Sequence, residues 1–424
     1  AIGHNAGAAI TTGLYNTAIG YEALYTTTEM DFNTALGYQA LKAASGSAGT
    51  GENTAIGYQA GTANTTAIRN TLVGAYAGNN LTTSGGNTLL GTRAGTTLTT
   101  GAGNIAIGYG AMYQSTTSNT NVVIGNDAMY SGNKAALYNV VIGPSAGMRM
   151  ANFAAGRNVY VGMNAGHNAT GSYNTFLGYD AGKGGTTSAP YSSGQNNTAI
   201  GYNALLGFTT GNYNVVLGEG AGKLITTGGG NVLIGRHCGD ELVSGEDNTM
   251  MGYAAGHRTT GNRNVLIGYL AGDNLTTGAN NTGIGANVAF DIDADNQTAI
   301  GNGATTDSAN DIAIGNTSVD EVKGQVDFTT FSDKRIKRNI KDSDLGLNFV
   351  LKLKPRKFNK VNPAKYPKSI KKPNDGISGE WTDAQANKVW DGLIAQEVKE
   401  AIDECDTTYS GWSEESNSKQ AITY

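Results

Sequence analysis

Charge is what this chain has least of. Asp, Glu, Lys and Arg make up 15% of its 424 residues, with a net charge of −5. A net negative chain has no basic excess to offer a phosphate backbone, so no nucleic-acid partner is expected. Apolar runs are short, and none could span a bilayer as a helix, so no membrane insertion is expected. Proline is rare, at 6 residues against 62 glycines, which excludes collagen and Pro-rich linkers. The two cysteines, Cys238 and Cys405, are too few for a disulfide framework. No signal peptide is visible, because Ala1 already lies inside the phrase AIGHNAG. The sequence is therefore expected to begin partway through a longer protein.

What the chain has instead is one phrase, repeated. NTAIGYQAG at 53–61 returns as NTAIGYEA from Asn16, NTFLGYDAG from Asn174 and NVLIGYLAG from Asn264. Aligned on its central glycine the phrase occurs nineteen times, from Gly3 to Gly315, mostly at steps of 16 or 17 residues. The residue before that glycine is Ile, Leu, Val or Met in all nineteen. Four before it stands Asn in sixteen, with Gln297 and Asp311 in the last two. Three after it stands Ala in sixteen, the exceptions being Cys238, Val288 and Ser318.

Each column has a physical reading. The Thr-Ala-Ile or Val-Val-Ile stretch has strand character. Glycine then allows a positive φ or a close backbone approach, and Ala keeps the following segment thin. TTG and SGGN clusters supply turns. A unit of about 17 residues cannot bury an apolar face alone, so it must stack on its neighbours. One rung repeating along an axis is a parallel β-solenoid or β-roll, with one Asn per rung free to form a side-chain ladder. At ~4.8 Å per rung the rod would be roughly 85 Å long. A disordered linker would share the composition but not the regular apolar column.

The N-[ST]-x-[IVL]-G phrase resembles the head-domain repeat of trimeric bacterial adhesins and similar repeats of bacteriophage tail fibres. The resemblance implies a parallel trimer of β-rolls with small residues packed where chains meet.

Several positions in the rod invite a functional reading. Tyr follows the glycine eight times (Tyr21, Tyr38, Tyr58, Tyr109, Tyr179, Tyr202, Tyr253, Tyr269), which is either structural stacking or a glycan-binding stripe. The acids of DIDAD, Asp291, Asp293 and Asp295, would share one side of an extended strand, as calcium ligands, as glycosidase carboxylates or as a solvated loop. His4, His167, His237 and His257 share no spacing that suggests a metal, and GEGAG at 218–222 lacks the setting of a phosphate loop. No cofactor or metal is expected. Cys238 occupies the Ala column and reads as a small buried hydrophobe. Two insertions, KAASGSAGTGE at 42–52 and KGGTTSAPYSSGQN at 183–196, should emerge as surface loops and are the candidates for receptor contact.

The composition changes at Phe331–Ser332. Before it lie 12 basic and 20 acidic residues and 57 glycines; after it, 17 basic, 14 acidic and 5 glycines. Three segments are expected: a rod over 1–318, a linker over 319–331 and a small α+β domain over 332–424. In the last, Ile336 and Ile340 are spaced for a helix capped by Ser332 or Asp333. LGLNFVLKLKP is an apolar segment ending at Pro355, and DGLIAQEVKEAI at 391–402 reads as a short amphipathic helix.

The sequence FSDKRIKRNI, LKLKP, GLIAQEVKEAI and AITY, in that order, resembles the intramolecular chaperone domain that ends phage tailspikes and tail fibres. That resemblance implies a domain that drives trimerisation and then cuts itself off, with Ser332 as nucleophile, Lys337 as base and Phe331–Ser332 as the scissile bond. The chemistry is reasonable, since Lys334, Arg335 and Arg338 would disfavour a proton on Lys337. Five residues turn a helix by about 500°, so Ser332 must precede the helix or take its Lys from another chain.

The resulting expectation is a homotrimeric, extracellular, virion-borne tail fibre that binds a host glycan or surface protein. It would join other tail proteins through a region before Ala1, and its only enzymatic act would be self-cleavage. The alternative is a polysaccharide-degrading tailspike. A bacterial adhesin would need a membrane β-barrel anchor, and the Lys-rich C-terminus has no such pattern.

Overall fold

A computed structural model describes residues 1–131, 135–150, 156–188, 190–319, 322, 346–359, 387, 389–405, 412–414 and 420–422. The chain divides into two compact units, Ala1–Ile314 and Gly315–Tyr424.

The first unit is a parallel β-solenoid of eighteen three-residue strands, from β1 (Thr17–Ile19) to β18 (Ile312–Ile314). Each strand pairs only with its sequence neighbours, in parallel and in register: Thr54 lies on Thr71, Ala55 on Leu72 and Ile56 on Val73. Ile2 bridges to Ile19 and extends the stack by one rung at the N-terminal end. The sequence reading of a mainly β, parallel rod is what the chain forms.

Within a strand the middle residue points inward. Leu72, Val123, Tyr160, Phe176 and Leu233 hold that position and are fully buried. They meet the Ala column, of which Ala60, Ala94, Ala146, Ala204 and Ala271 are equally buried. These residues form one continuous core inside a single chain. Thin columns still give the single chain a core that is narrow but unbroken.

The strand ends where the Asn and Gly columns stand, and each solves a backbone problem. Gly57 has φ +140°, and a Cβ there would sit 2.5 Å from the carbonyl oxygen of Gly74 one rung on. Only glycine permits that approach. At the other end, Asn53 donates from its backbone N–H (3.2 Å) and its Nδ2 (3.0 Å) to Oδ1 of Asn33, and from Nδ2 to the Ala67 carbonyl (2.9 Å). Asn70 repeats this on Asn53. The backbone-to-Oδ1 link runs without a gap from Asn16 to Gln297. Amide side chains thus satisfy buried backbone groups at the corner where the ladder of strands stops.

The described part of the second unit holds two helices, α1 (Leu347–Lys352) and α2 (Ala395–Glu404). It also has two antiparallel pairs, β19 (Arg356–Asn359) with β20 (Val389–Gly392), and β21 (Trp412–Glu414) with β22 (Gln420–Ile422). The helix expected over 391–402 begins later, because residues 389–392 are used in β20.

Candidate functional site

If the middle residue of each strand faces in, the other two face out. In the second strand (Thr34–Leu36) Ala35 is buried while Leu36 is 42% exposed. The most regular apolar column of the sequence is therefore a surface column. Leu90, Leu177, Met251 and Ile284 are each more than two-fifths exposed. The first strand position shares that face and is Thr, Val or Ile in every strand. One uncovered sheet face, with an apolar column of Ile, Leu, Val and Met beside a β-branched column of Thr, Val and Ile, follows the rungs of the solenoid. Soluble monomers seldom expose a contiguous apolar patch above a few hundred Å².

The tyrosines after the glycine are half-exposed and stack on one another where rungs adjoin. Tyr21–Tyr38 and Tyr38–Tyr58 have ring centroids 5.1 and 5.0 Å apart and are nearly parallel. Tyr179–Tyr202 and Tyr253–Tyr269 follow at 5.5 and 5.4 Å. Their faces are spent on each other, so they offer mainly edges to a ligand.

The acids of DIDAD do not share one side of a strand, because residues 291–295 form a turn. Asp293 accepts hydrogen bonds from the hydroxyls of Thr276 and Thr277, and Asp295 accepts from the backbone N–H of Ala279 at 2.7 Å. Both serve the preceding rung rather than converging, since a turn residue one period on lies directly over its predecessor. Cys238 is buried in the core, and burial pushes its thiol up to about 12, as its place in the Ala column implies.

Stacking also joins residues that look unrelated in sequence. Asp240 lies 3.4 Å from His237 Nδ1 and 3.8 Å from His257 Nε2, and His257 Nδ1 lies 3.8 Å from Asp273. The period brings 240, 257 and 273 onto successive rungs, a signal available only by counting from the glycine. Among the described residues no group of three or more such side chains is placed to hold a metal ion.

In the second unit Phe349 of α1 packs with Val398, Ala401 and Ile402 of α2. Beside this small core runs a row of ion pairs. Arg356 holds Glu397 with two prongs, Nη2 to Oε1 at 2.7 Å and Nε to Oε2 at 2.9 Å. Lys354 lies 3.7 Å from Glu400, and Lys352 lies 2.9 Å from Glu404. The acids recur every three or four residues and so share one helix face. The basic residues alternate in LKLKPR, which runs from the end of α1 through extended residues to the start of β19, where two residues advance about as far as four helical ones. The two rows stay in step. Arg356 and Lys352 hold the Glu397 and Glu404 carboxyls below the usual carboxylate range.

Phe331, Ser332 and Lys337 lie outside the described residues, as does the expected helix around Ile336 and Ile340.

The chain thus consists of a long parallel β-solenoid and, after it in sequence, a small helix-containing unit. Residues 332–407 match the model of the peptidase S74 family, the chaperone of endosialidase. With the solenoid, that match fits a phage tail fibre or tailspike-like protein carrying a domain that assists trimerisation. No curated protein matches the chain.

Proposed function

We propose that this chain is the shaft and assembly domain of a homotrimeric phage tail fibre, borne on the virion and making contact with the host surface. The observation that carries the proposal is the uncovered aliphatic sheet face. Three copies meeting along it would remove from water the one apolar column that the single-chain core leaves outside. The chaperone domain holds chains together while rungs stack, which suits a structure whose pairings are all parallel. Other tail proteins would join through a region before Ala1, and the receptor is a glycan or a surface protein.

In the same reading the domain then separates itself from the shaft. Ser332 Oγ attacks the Phe331 carbonyl and gives its proton to Lys337. The Phe331–Ser332 C–N bond breaks, the released nitrogen takes up a proton, and water hydrolyses the resulting ester.

Sedimentation of the full chain tests the assembly: a trimer is expected, and a folded monomer would refute it. The double substitution L177E/I200E should leave each chain folded and lower its mass in solution to that of a monomer. Intact mass tests the cut. Wild-type chain should shorten to residues 1–331, while S332A and K337A should remain full length and trimeric.

A polysaccharide-degrading tailspike is the second reading. It needs two carboxylates facing a common groove. Asp293 and Asp295 are instead engaged with the rung below them.

A further inference from the structure

The insertion after Lys183 does not simply loop into solvent; it folds back across two earlier rungs. Arg149 reaches it from 38 residues earlier, donating from Nη1 to the Thr187 carbonyl oxygen at 3.0 Å. The same Nη1 donates to the Tyr191 hydroxyl at 3.0 Å, and the guanidinium carbon lies 5.3 Å from that ring's centre. The insertion's return is fixed by Ser192, which bridges to Ala169, accepts from Thr170 N–H at 2.7 Å and donates to the Asn168 carbonyl at 3.1 Å.

Beneath the strap three basic residues arrive from three consecutive rungs. Arg149 N–H bonds the His167 carbonyl at 2.9 Å, and Asn168 N–H bonds the Lys183 carbonyl at 2.7 Å, so the rungs carrying Arg149, His167 and Lys183 are stacked in that order. Burial pushes the His167 imidazole below its ordinary range, and Arg149 and Lys183 both push it the same way while Asn168 opposes them. His167 Nδ1 lies 2.9 Å from Asn168 Oδ1. One carboxylate is present: Asp180 takes Lys183 Nζ at 2.8 Å and Asn164 Nδ2 at 2.9 Å. The strap itself, KGGTTSAPYSSGQN, carries no acid and six hydroxyl side chains, on a shaft whose first 331 residues hold only 12 Lys and Arg. Thr187, Ser188 and Ser193 are exposed.

We infer that this strap and the Arg149–Lys183 pair beneath it form a binding site for a saccharide that carries an anionic group, a carboxylate or a phosphate. The inference rests on the attachment reading above and gives that reading a ligand class and a place. A guanidinium and an ammonium two rungs apart, with the His167 rung between them, supply the charge, Arg149 offering a planar fork and Lys183 a point charge that it shares with Asp180. The strap hydroxyls supply the donors and acceptors that a sugar's own hydroxyls require. The Tyr191 ring, half-exposed beside the guanidinium, supplies an apolar surface for the sugar's C–H face. The insertion sets this place apart from the rungs whose turn is closed by a short Thr-Thr-Gly or Gly-Gly-Asn cluster, such as those at 226–228 and 229–231.

The experiment is calorimetry of the full chain with oligogalacturonate, with a phosphorylated oligomannose, and with the neutral counterpart of each. At least one anionic probe should bind tenfold or more tightly than its neutral counterpart, and the affinity should fall as salt is raised. The two probes together tell which anion is preferred. K183Q, which leaves the strap's own anchors in place, should weaken the anionic probe about tenfold and leave the neutral one unchanged. R149Q should weaken it further, and a melting curve matching wild type shows that the rungs remain stacked. Equal affinity for charged and neutral probes, or undiminished binding by both variants, overturns the site. Labelled chain applied to a panel of bacterial cells separates the two ideas. Cell binding that ignores the anionic probes and both substitutions removes this site but keeps attachment. No adsorption to any strain removes attachment itself.

Discussion

The two units of this chain are held together by opposite electrostatics. The solenoid runs a ladder of neutral amides through its interior, buried from Asn33 to Gln297 and with no member able to titrate. The C-terminal unit runs a ladder of full charges along its surface, Arg356–Glu397, Lys354–Glu400 and Lys352–Glu404. A buried ladder can be neutral because each amide is both donor and acceptor, so one residue type serves every rung. A surface ladder between two different segments needs two residue types of opposite sign, and water and salt weaken it. The first kind suits a part that is permanent. The second suits a part that assists assembly.

The sharpest way to break this comparison is to remove one amide from the rod. Asn214 accepts from both the backbone N–H (3.1 Å) and Nδ2 (3.0 Å) of Asn231, and donates to the Gly228 carbonyl at 3.0 Å. N214A should leave those buried groups unpartnered at about 1–3 kcal/mol each. Thermal unfolding followed by circular dichroism should shift down strongly. A variant as stable as wild type would mean that the ladder is ornamental.

A smaller effect is expected in the core facing it. Ala204 is fully buried in a column that has room for a methyl group. A204L should overpack it and cost about 1–3 kcal/mol. Chemical denaturation of the two chains reads the difference.

The smallest effect, and the one that separates the units, is with acid. Glu397 and Glu404 have folded pKa values depressed by their cationic partners, hydrogen bonding first. Their contribution is thus present above the ordinary carboxylate range and is lost as pH falls through the depressed values. Hydrogen exchange at neutral and strongly acidic pH should show α2 losing protection while the strand amides of the rod keep theirs. E397Q should reproduce part of that loss at neutral pH. If both units loosen together, the division of labour fails.

How much of this was legible in the sequence follows from the same contrast. The amide ladder was readable because it needs one residue at one phase of the period, and Asn stands at that phase in sixteen repeats. The direction of the strand was not. The column before the glycine never varies from apolar, which by itself does not tell inside from outside, and it faces outward. The middle position looked variable, mixing Ala, Leu, Val, Tyr, Phe, Met and Gly. Those sizes vary because a large residue at one rung can occupy the space its neighbours leave. With only three residues per strand, alternation has no second cycle by which to reveal which side is inside. The ion-pair row was hidden for a different reason, since pairing 352 with 404 needs the antiparallel course of two distant segments. The site beneath the strap was half visible: the insertion could be seen in the sequence, but the arginine two rungs earlier that holds it could not.

The register of the rungs has a last consequence, for how such a molecule can change over generations. Rungs of the common 17-residue length, such as those of Asn197, Asn214 and Asn231, repeat one set of bonds from each to the next. Deleting or duplicating a whole period, for instance the residues between Asn214 and Asn231, would therefore bring together two edges that already fit. Reach could grow or shrink in steps of one rung, ~4.8 Å each, with both ends unaltered. A deletion of half a period would break the strand register that a whole one preserves. Length in this shaft is an inherited integer, open to selection by recombination between its own repeats.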